Sequence, residues 1–377
     1  MFKKTIQITG LCISLLIASP ALARKPINID DKPLVHPRME VCFVLDTTGS
    51  MSGLIDGAKR KIWYIANQIV QAQPAPDVRF CLIGFRDRGD EYVTRTYDLS
   101  HDLDDIYKHL NAFSANGGGD TPESVNQALH EAIRDTSWSR DENVLRTVFL
   151  VGDSPPHMDY AQDVKYPAVA RMARERDIII NTIQCGSNGD TTPIWKDIAR
   201  RSHGSYSAIP QSGNVQTIKT PMDQDMVSLN RKLGKTLVPY GAAPERKKVY
   251  AKQRASEAAS GEVISDRLGY NAKTHRIVQG GGDLIEAIDS GLVKLENIPS
   301  TDLPEALKSL SGDEKTAWLD ERRNERKEIQ QVVDSLIKER DAYIENVRKK
   351  QGNRDAFDEE VTRMLREQAA RKGIYYE

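Results

Sequence analysis

The feature that most constrains the fold is a series of short, mainly apolar segments that alternate with amphipathic ones between residues 39 and 241. Residues 41–45 read Val-Cys-Phe-Val-Leu, without the polar alternation of a half-exposed strand. Such runs are typical of strands buried on both faces of a parallel sheet. Similar runs occupy residues 78–85, 147–151 and 178–184. The sequence therefore predicts an α/β fold with a doubly wound, mostly parallel sheet flanked by helices.

Weaker signals complete this pattern within one predicted domain, residues 39–240. Residues 92–97 alternate in polarity and predict an edge strand, and residues 205–209 predict a short last strand. Pro122 is expected to open one of the helices, since proline is favoured at the first helical position. We predict helices over residues 53–73, 102–113, 122–133, 167–174, 193–201 and 222–237.

The composition changes after residue 241. Residues 241–262 are rich in Ala, Lys and Arg and have no apolar stripe, so we predict a linker. Residues 263–312 predict a small mixed element, and residues 313–377 a charged tail. The second half of the chain is thus expected to be a mainly helical C-terminal region.

Apolar residues of the tail form a heptad-like stripe. The stripe comprises Ile329, Val333, Leu336, Tyr343 and Val347, with Arg340 in the slot that lacks an apolar residue. Phe357, Val361 and Met364 start a second amphipathic helix. Two interpretations stay open: a helical hairpin that packs on itself or on the sheet domain, or a coiled coil with a partner or a second copy. The latter would give self-association through the C-terminal helices.

Residues 1–23 are typical of a secretory signal peptide. Lys3 and Lys4 precede an apolar run over residues 6–18, and Ala21-x-Ala23 has the small-x-small pattern of a cleavage site. A membrane anchor is the alternative, but the apolar run is shorter than the ~20 residues that a membrane span needs. We therefore expect an exported protein, in the periplasm or outside the cell, with no transmembrane segment in the mature chain.

The balance of charges argues against a nucleic-acid-binding protein. The 53 basic and 54 acidic residues nearly cancel, so no overall positive field favours nucleic acid as a partner.

Outside the leader, Cys42, Cys81 and Cys185 each lie in an apolar, strand-like run. An oxidising compartment permits disulfides, but buried free thiols are favoured because neighbouring parallel strands rarely bridge and free Cys behaves as a small hydrophobe.

A carboxylate and two hydroxyls follow the first strand directly. Asp46, Thr48 and Ser50 occupy alternate positions of a turn, which can aim their side chains at one point. All three are hard oxygen donors, a set that suits Mg²⁺, Ca²⁺ or Mn²⁺ and disfavours zinc or copper. The strand end therefore predicts a cation site.

Two later loops offer further oxygens for this site. Thr121 follows three glycines and an aspartate at the predicted start of a helix, and Asp153 follows the strand at residues 147–151. If the two Asp-bearing strands are neighbours, all three loops meet at one edge of the sheet.

These motifs, "DTTGSMS", "GGDT" and "FLVGD" in this order, resemble the metal-ion-dependent adhesion site of von Willebrand factor type A domains. The family pattern, Asp-x-Ser-x-Ser, a later Thr and a later Asp, falls on Asp46, Thr48, Ser50, Thr121 and Asp153, with Thr in place of the first Ser. One departure is that Ser-Pro-Pro-His follows Asp153, where Gly is commoner in the family.

The resemblance implies a function as well as a fold. In this family at least one of the aspartates acts through water, and an Asp or Glu of a protein partner completes the coordination of the cation. We therefore expect an exported protein-binding module, not an enzyme, that captures an acidic side chain of a partner protein through Mg²⁺, or Ca²⁺ or Mn²⁺.

Other functions are weaker candidates. His157 lies near the predicted site, but hydroxyl ligands activate bound water poorly and the motif loops hold no second base, so hydrolysis is disfavoured. A periplasmic scaffold acting through the C-terminal helices, with a structural metal, is the main alternative. A partner of an ATP-driven machine, as for some bacterial relatives, conflicts with export. The Arg-Gly-Asp at residues 88–90 is interpreted as a turn, and residues 280–283 as a helix start.

Overall fold

The computed structural model describes residues 37–119, 121–215, 217–351 and 356–376. The predicted leader, residues 1–23, lies outside them. Among the described residues, none of the helices combines the length and the apolar character needed to cross a bilayer.

Six strands form one sheet in the order β3-β2-β1-β4-β5-β6. They are β1 Arg38–Asp46, β2 Asp77–Phe85, β3 Thr94–Ser100, β4 Leu145–Gly152, β5 Ile178–Cys185 and β6 Tyr206–Ile209. Only the edge strand β3 is antiparallel to its neighbour among these strands; the other pairs are parallel. The predicted mostly parallel, doubly wound sheet is confirmed.

The helices flank the sheet and then continue as a helical C-terminal region. They are α1 Ser52–Ile69, α2 Leu103–Ala112, α3 Val125–Arg134, α4 Tyr166–Glu175, α5 Thr191–Arg201, α6 Asp223–Lys235, α7 Ala243–Glu257, α8 Gly261–Lys273, α9 Leu284–Asp289, α10 Glu305–Lys308, α11 Gly312–Gln351 and α12 Ala356–Ala369. Short 3-10 turns cover Gly49–Met51, Leu295–Asn297, Ser300–Asp302 and Ala370–Lys372.

Strand β1 is buried along its whole length because apolar layers cover both faces of the sheet. Side chains of a strand alternate between the two faces. Val41 and Phe43 belong to the layer under α1, α2 and α12, whereas Cys42 and Val44 belong to the layer under α3, α4 and α5. Phe43 stacks on Phe149 of β4 with ring centroids 5.6 Å apart.

The three cysteines are buried and free. Cys42 and Cys81 are opposite each other on β1 and β2, with their Sγ atoms 2.6 Å apart. Burial raises the pKa of the Cys42 and Cys185 thiols well above the ordinary value. These thiols are therefore protonated core side chains at neutral pH.

Two predictions about helices need correction. The helix predicted to open at Pro122 begins at Val125, because the backbone of Glu123 pairs with Pro155 in another loop. The linker predicted over residues 241–262 is largely helix α7. Its apolar signal is weak because the face that it buries includes Gln253 and Ser256, with Val249 as its buried aliphatic residue.

The element predicted as mixed over residues 263–312 is helical. Helix α8 starts at Gly261, and the described residues of this segment contain no strand beyond a single bridge between Pro239 and Asp283. Asp283 caps α9 by accepting a hydrogen bond from the Glu286 backbone at 3.0 Å, and it pairs with Arg326 of α11. The second Gly-Gly-Gly-Asp is thus a helix start, as predicted.

The end of the predicted tail packs against the sheet. Phe357, Val361 and Met364 of α12 are buried in the same apolar layer as β1 and α1. Gln368 of α12 reaches the sheet, where its amide donates to Asn181 Oδ1 at 2.7 Å. α12 therefore covers part of the sheet, which is the packing on the sheet domain that one interpretation of the tail included.

The heptad-like stripe of α11 packs against other helices of the same chain. Val333 and Ile337 are buried against α6 and α8, and Ile329 and Leu336 pack at the edge of this cluster. This arrangement corresponds to the helical-packing interpretation of the stripe.

Arg340 explains the missing apolar slot. Its guanidinium is buried and donates to Asp266 Oδ1 at 2.7 Å and to Asp223 Oδ1 at 3.0 Å. The residue that interrupts the stripe thus forms the ion pairs that join α11 to α6 and α8.

Replacing Met364 by Ala is expected to lower the free energy of unfolding by about 2–5 kcal/mol, because it leaves a cavity beneath α12. Val332→Ala is the matched control, since Val332 is 50% exposed on α11 and should change stability by less than about 0.5 kcal/mol. Urea unfolding followed by circular dichroism measures both variants. An unchanged midpoint for Met364→Ala would show that α12 does not pack on the sheet in solution.

Arg340→Met is expected to lower the free energy of unfolding by about 3–5 kcal/mol, because Asp223 and Asp266 keep their burial and lose their shared cation. Lys338→Met on the exposed face of α11 removes the same charge without a buried partner and is the control. The same unfolding measurement compares the two, and equal effects would contradict the buried ionic contact.

Candidate metal centre

Two strand ends meet at one edge of the sheet. β1 ends at Asp46 and β4 ends at Gly152, one residue before Asp153. The two strands are parallel, with Leu45 opposite Val151, so their carboxyl ends lie side by side. β1 pairs with β2 on its other side. The crossovers diverge between β1 and β4, which is where doubly wound sheets bind ligands.

The turn after β1 brings its three oxygen-bearing side chains together. Asp46 Oδ1 accepts hydrogen bonds from the Thr48 backbone at 2.9 Å and from the Thr48 hydroxyl at 2.6 Å. Thr48 Oγ1 lies 3.4 Å from Ser50 Oγ. The Gly49 N–H donates to the Gly117 carbonyl at 3.2 Å, which holds the turn against the glycine loop. Asp46, Thr48 and Ser50 therefore converge, as their spacing predicted.

Asp153 is fixed by three contacts. Its Oδ1 accepts from the Ser154 hydroxyl at 2.9 Å, its Oδ2 accepts from Gln211 Nε2 at 2.7 Å, and its carbonyl accepts from the Thr191 hydroxyl at 2.9 Å. Gln211 Nε2 also lies 3.3 Å from the Ser50 carbonyl, so it bridges two loops of the site. Gln211 was not predicted, because it lies in no motif and comes from a loop beyond β6.

Gly152 allows Asp46 and the Asp153 loop to approach each other. A Cβ atom built on Gly152 would lie 2.9 Å from Asp46 Cβ and 3.2 Å from the Trp195 ring. Both distances are shorter than ordinary carbon contacts. The glycine of "FLVGD" is therefore a requirement of the packing between the two strand ends.

The loop that carries Thr121 is joined to the Asp153 loop through its backbone. The Glu123 N–H donates to the Pro155 carbonyl at 2.9 Å, and the Glu123 carbonyl accepts from the His157 N–H at 3.0 Å. Thr121 is exposed two residues earlier, and Asp120 lies outside the described residues. The structure thus brings the Thr121 loop to this edge, while a ligand role for the Thr121 hydroxyl stays a prediction.

The Arg-Gly-Asp tripeptide makes internal contacts. The Asp90 carboxylate accepts a hydrogen bond from the Gly118 N–H at 3.1 Å and so orders the glycine loop. Arg88 donates to Asp163 at 2.6 Å and lies over the Tyr160 ring. The tripeptide therefore helps to build the site, in line with the turn interpretation.

His157 contacts several of the loops around the crevice, the space between the carboxyl ends of β1 and β4. Its ring stacks on Tyr160 with centroids 4.0 Å apart, and Nδ1 lies 2.8 Å from Asp159 Oδ1. Nε2 lies 3.4 Å from Asp87 Oδ2, and the His157 carbonyl accepts from Asn126 at 2.6 Å. His157 is 6% exposed, so its contacts suit a structural role in the loops.

Acidic side chains are concentrated in the crevice between the ends of β1 and β4. Burial raises the pKa of Asp46 to about 7; the hydrogen bond from Thr48 opposes this shift and the charge of Asp153 adds to it. Burial and, after it, the charges of the neighbouring aspartates, Asp46 first, together raise the pKa of Glu123 to about 9. A cation bound nearby would lower the pKa values of both carboxyl groups, because it favours their ionised forms.

The donor set fits a hard divalent cation. Asp46 Oδ2 is buried and has no hydrogen-bond partner within the described part of the chain, so one oxygen is free to bind an ion. Among the described residues, no group of three or more His, Cys, Asp or Glu is arranged as a metal cluster. The predicted set has only two carboxylates, and its other donors are hydroxyls, which Mg²⁺ and Ca²⁺ accept.

A sequence match shows what this part of the chain resembles. Residues 40–221 match the family model described as von Willebrand factor A domain. This part of the chain is therefore similar to von Willebrand factor A domains. The match covers just under half of the chain, and the helices from α6 onward lie outside it.

Curated relatives share this domain. The human von Willebrand factor A domain-containing protein 7 is 34% identical over 122 residues, which are 32% of this chain and 12% of the relative. The mouse protein of the same name is 32% identical over 149 residues, 38% of this chain and 16% of the relative. The similarity thus spans less than a fifth of either relative.

Solved structures show more distant similarity. The mussel byssus proximal thread matrix protein 1 with zinc occupied MIDAS motif has a TM-score of 0.38 and 17% identity, covering 47% of this chain and 42% of that chain. The SpRpn10 VWA domain has a TM-score of 0.37 and 13% identity, covering 48% of this chain and 91% of that chain. The assignment of the von Willebrand factor A domain therefore rests on the sequence match.

Gly152→Ala is expected to lower the free energy of unfolding by about 1–3 kcal/mol, because the new methyl group meets Asp46 and Trp195 in a close-packed contact. Gly189→Ala is the matched control, since a Cβ there has no neighbour within 4 Å. Thermal unfolding in EDTA measures both. Equal melting temperatures for the two variants would contradict the close approach of the two strand ends.

Proposed function

We propose that the von Willebrand factor A domain is a divalent-cation-dependent binding module whose ligand is an Asp or Glu side chain of a partner protein. The observation that carries this proposal is the buried Asp46 carboxylate, which has an unpartnered Oδ2 beside the hydroxyls of Thr48 and Ser50. We propose Mg²⁺ as the cation, with Ca²⁺ or Mn²⁺ as alternatives, because every donor is a hard oxygen.

Each residue has a distinct part in this proposal. Asp46 and Asp153 supply negative charge, at least one of them through water. The hydroxyls of Thr48, Ser50 and Thr121 supply neutral donors, so the site does not saturate the charge of a divalent ion. A bound cation supplies a coordination position that an external carboxylate fills.

The surrounding contacts support this division of roles. Ser154 and Gln211 donate to the Asp153 carboxylate, which fixes its direction at the edge of the sheet. The Asp46 side chain is fixed by two bonds from Thr48. A preordered set of donors lowers the entropic cost of binding an ion and a partner.

The scaffold function of the C-terminal helices has less support. Much of the apolar surface of α11 and α12 is already buried within the chain, in Val333, Ile337 and the α12 residues. Val332 and Tyr343 are exposed on α11 at 50% and 38%, too little for an extensive seam. Export to the periplasm or the cell exterior stays a proposal from the leader at residues 1–23.

Water-proton relaxation of bound Mn²⁺ tests the proposed coordination position directly. Wild-type protein should bind Mn²⁺ and enhance relaxation, and added acetate should reduce the enhancement as its carboxylate displaces water from the ion. Asp46→Asn should abolish Mn²⁺ binding, because it removes the buried charge at the centre of the site.

Acetamide, a neutral analogue of acetate, and protein-free Mn²⁺ with acetate are the controls. Bound Mn²⁺ that is insensitive to acetate would mean that the cation is structural, and no Asp46-dependent binding would refute the proposal altogether. Partner capture in the presence of EDTA would likewise reject a cation-mediated contact.

A further inference from the structure

Glu123 is a buried acid that the predicted donor set does not use. Its side chain is 2% exposed, and Oε2 has no hydrogen-bond partner within the described ranges. A Cβ atom built on Gly118 would lie 3.4 Å from Glu123 Oε1 and 3.1 Å from Thr48 Cβ. The Glu123 carboxylate therefore reaches the same wall of the crevice as Thr48.

Two of the neighbouring aspartates, Asp87 and Asp90, differ from Glu123 because protein donors already satisfy them. Asp87 accepts from the Ser124 hydroxyl at 2.9 Å and from the Tyr160 hydroxyl at 2.8 Å. Asp90 accepts from the Gly118 N–H at 3.1 Å. These contacts build the loops, whereas the free oxygen of Glu123 calls for a partner from outside the protein.

Nearby basic side chains are engaged elsewhere. Arg86 donates to the carbonyls of Thr47 and Ser114 at 3.1 and 2.7 Å. Arg88 donates to Asp163. An ionised carboxylate that is buried without a paired cation is costly, so an exogenous cation would be the counter-ion with which Glu123 ionises.

The backbone fixes Glu123 to the element that carries Asp153. Its N–H and carbonyl bond to Pro155 and His157 in the loop that follows β4, and a parallel bridge links it to Pro156. These contacts hold Glu123 in a fixed position relative to the Asp153 loop.

We propose that Glu123 is an internal carboxylate ligand of the cation, bound directly or through one water, which a partner's carboxylate must displace. This inference rests on the proposed cation-binding function. It has two consequences of opposite sign: Glu123 tightens cation binding by adding charge to the site, and it weakens the binding of an external carboxylate by competing with it.

Calorimetric titration of the full chain with Mg²⁺ tests the first consequence. Glu123→Gln keeps the shape of the side chain and should weaken Mg²⁺ binding by about tenfold or more, since cation affinity rises with the number of charged ligands. Glu123→Asp keeps the charge but withdraws it by one methylene and should weaken binding as well. Glu91→Gln, with a side chain 61% exposed in the adjacent loop, is the control and should change affinity less than about twofold.

Acetate titration of the Mn²⁺-loaded proteins tests the second consequence. Glu123→Gln should respond to a several-fold lower acetate concentration than the wild type, an effect that loss of structure would not produce. Thermal unfolding in EDTA confirms that each variant is folded.

The outcomes separate this inference from the proposed function. If Glu123→Gln and Glu123→Asp bind Mg²⁺ and respond to acetate like the wild type, while Asp46→Asn abolishes cation binding, the role of Glu123 is refuted and the proposed function stands. A wild-type chain that takes up neither Mg²⁺ nor Mn²⁺ refutes both.

Discussion

The parallel pairing of β1 with β4 is the constraint on which the rest of the structure depends. Because the register sets Leu45 opposite Val151, the next residues bring Asp46 and the Asp153 loop to the same edge, with Gly152 leaving room for them. As a consequence Asp46 is buried, with 1% of its surface exposed. The geometry that completes the sheet thus creates a crevice whose charge a cation would balance.

The C-terminal helices are part of this architecture. α12 covers the sheet face next to α1, and Gln368 bonds to Asn181 in β5. Arg340 of α11 is buried between two aspartates. The edge of the sheet that holds Asp46 and Asp153 therefore belongs to a larger body than the family match over residues 40–221 indicates. Removing the end of the chain would expose an apolar layer.

The sheet was predictable because its strands are buried on both faces and therefore apolar throughout, as in residues 41–45. The convergence of Asp46, Thr48 and Ser50 was predictable from their alternate spacing after such a strand. Helix α7 was missed because polar residues such as Gln253 fill its buried face, so no apolar period marks it. Gln211 and Glu123 were missed for a different reason: their contacts depend on how distant loops meet, which one sequence does not encode in a local pattern.

The account's central claim is that the crevice between β1 and β4 holds a divalent cation. A crystal structure of the full chain grown with Mn²⁺ tests it most directly, since anomalous scattering locates the ion independently of the protein atoms. We expect one strong peak with oxygen ligands at about 2.0–2.6 Å, including the hydroxyls of Thr48 and Ser50. A well-ordered crevice with no peak at saturating Mn²⁺, or an ion bound at another place only, would contradict the claim.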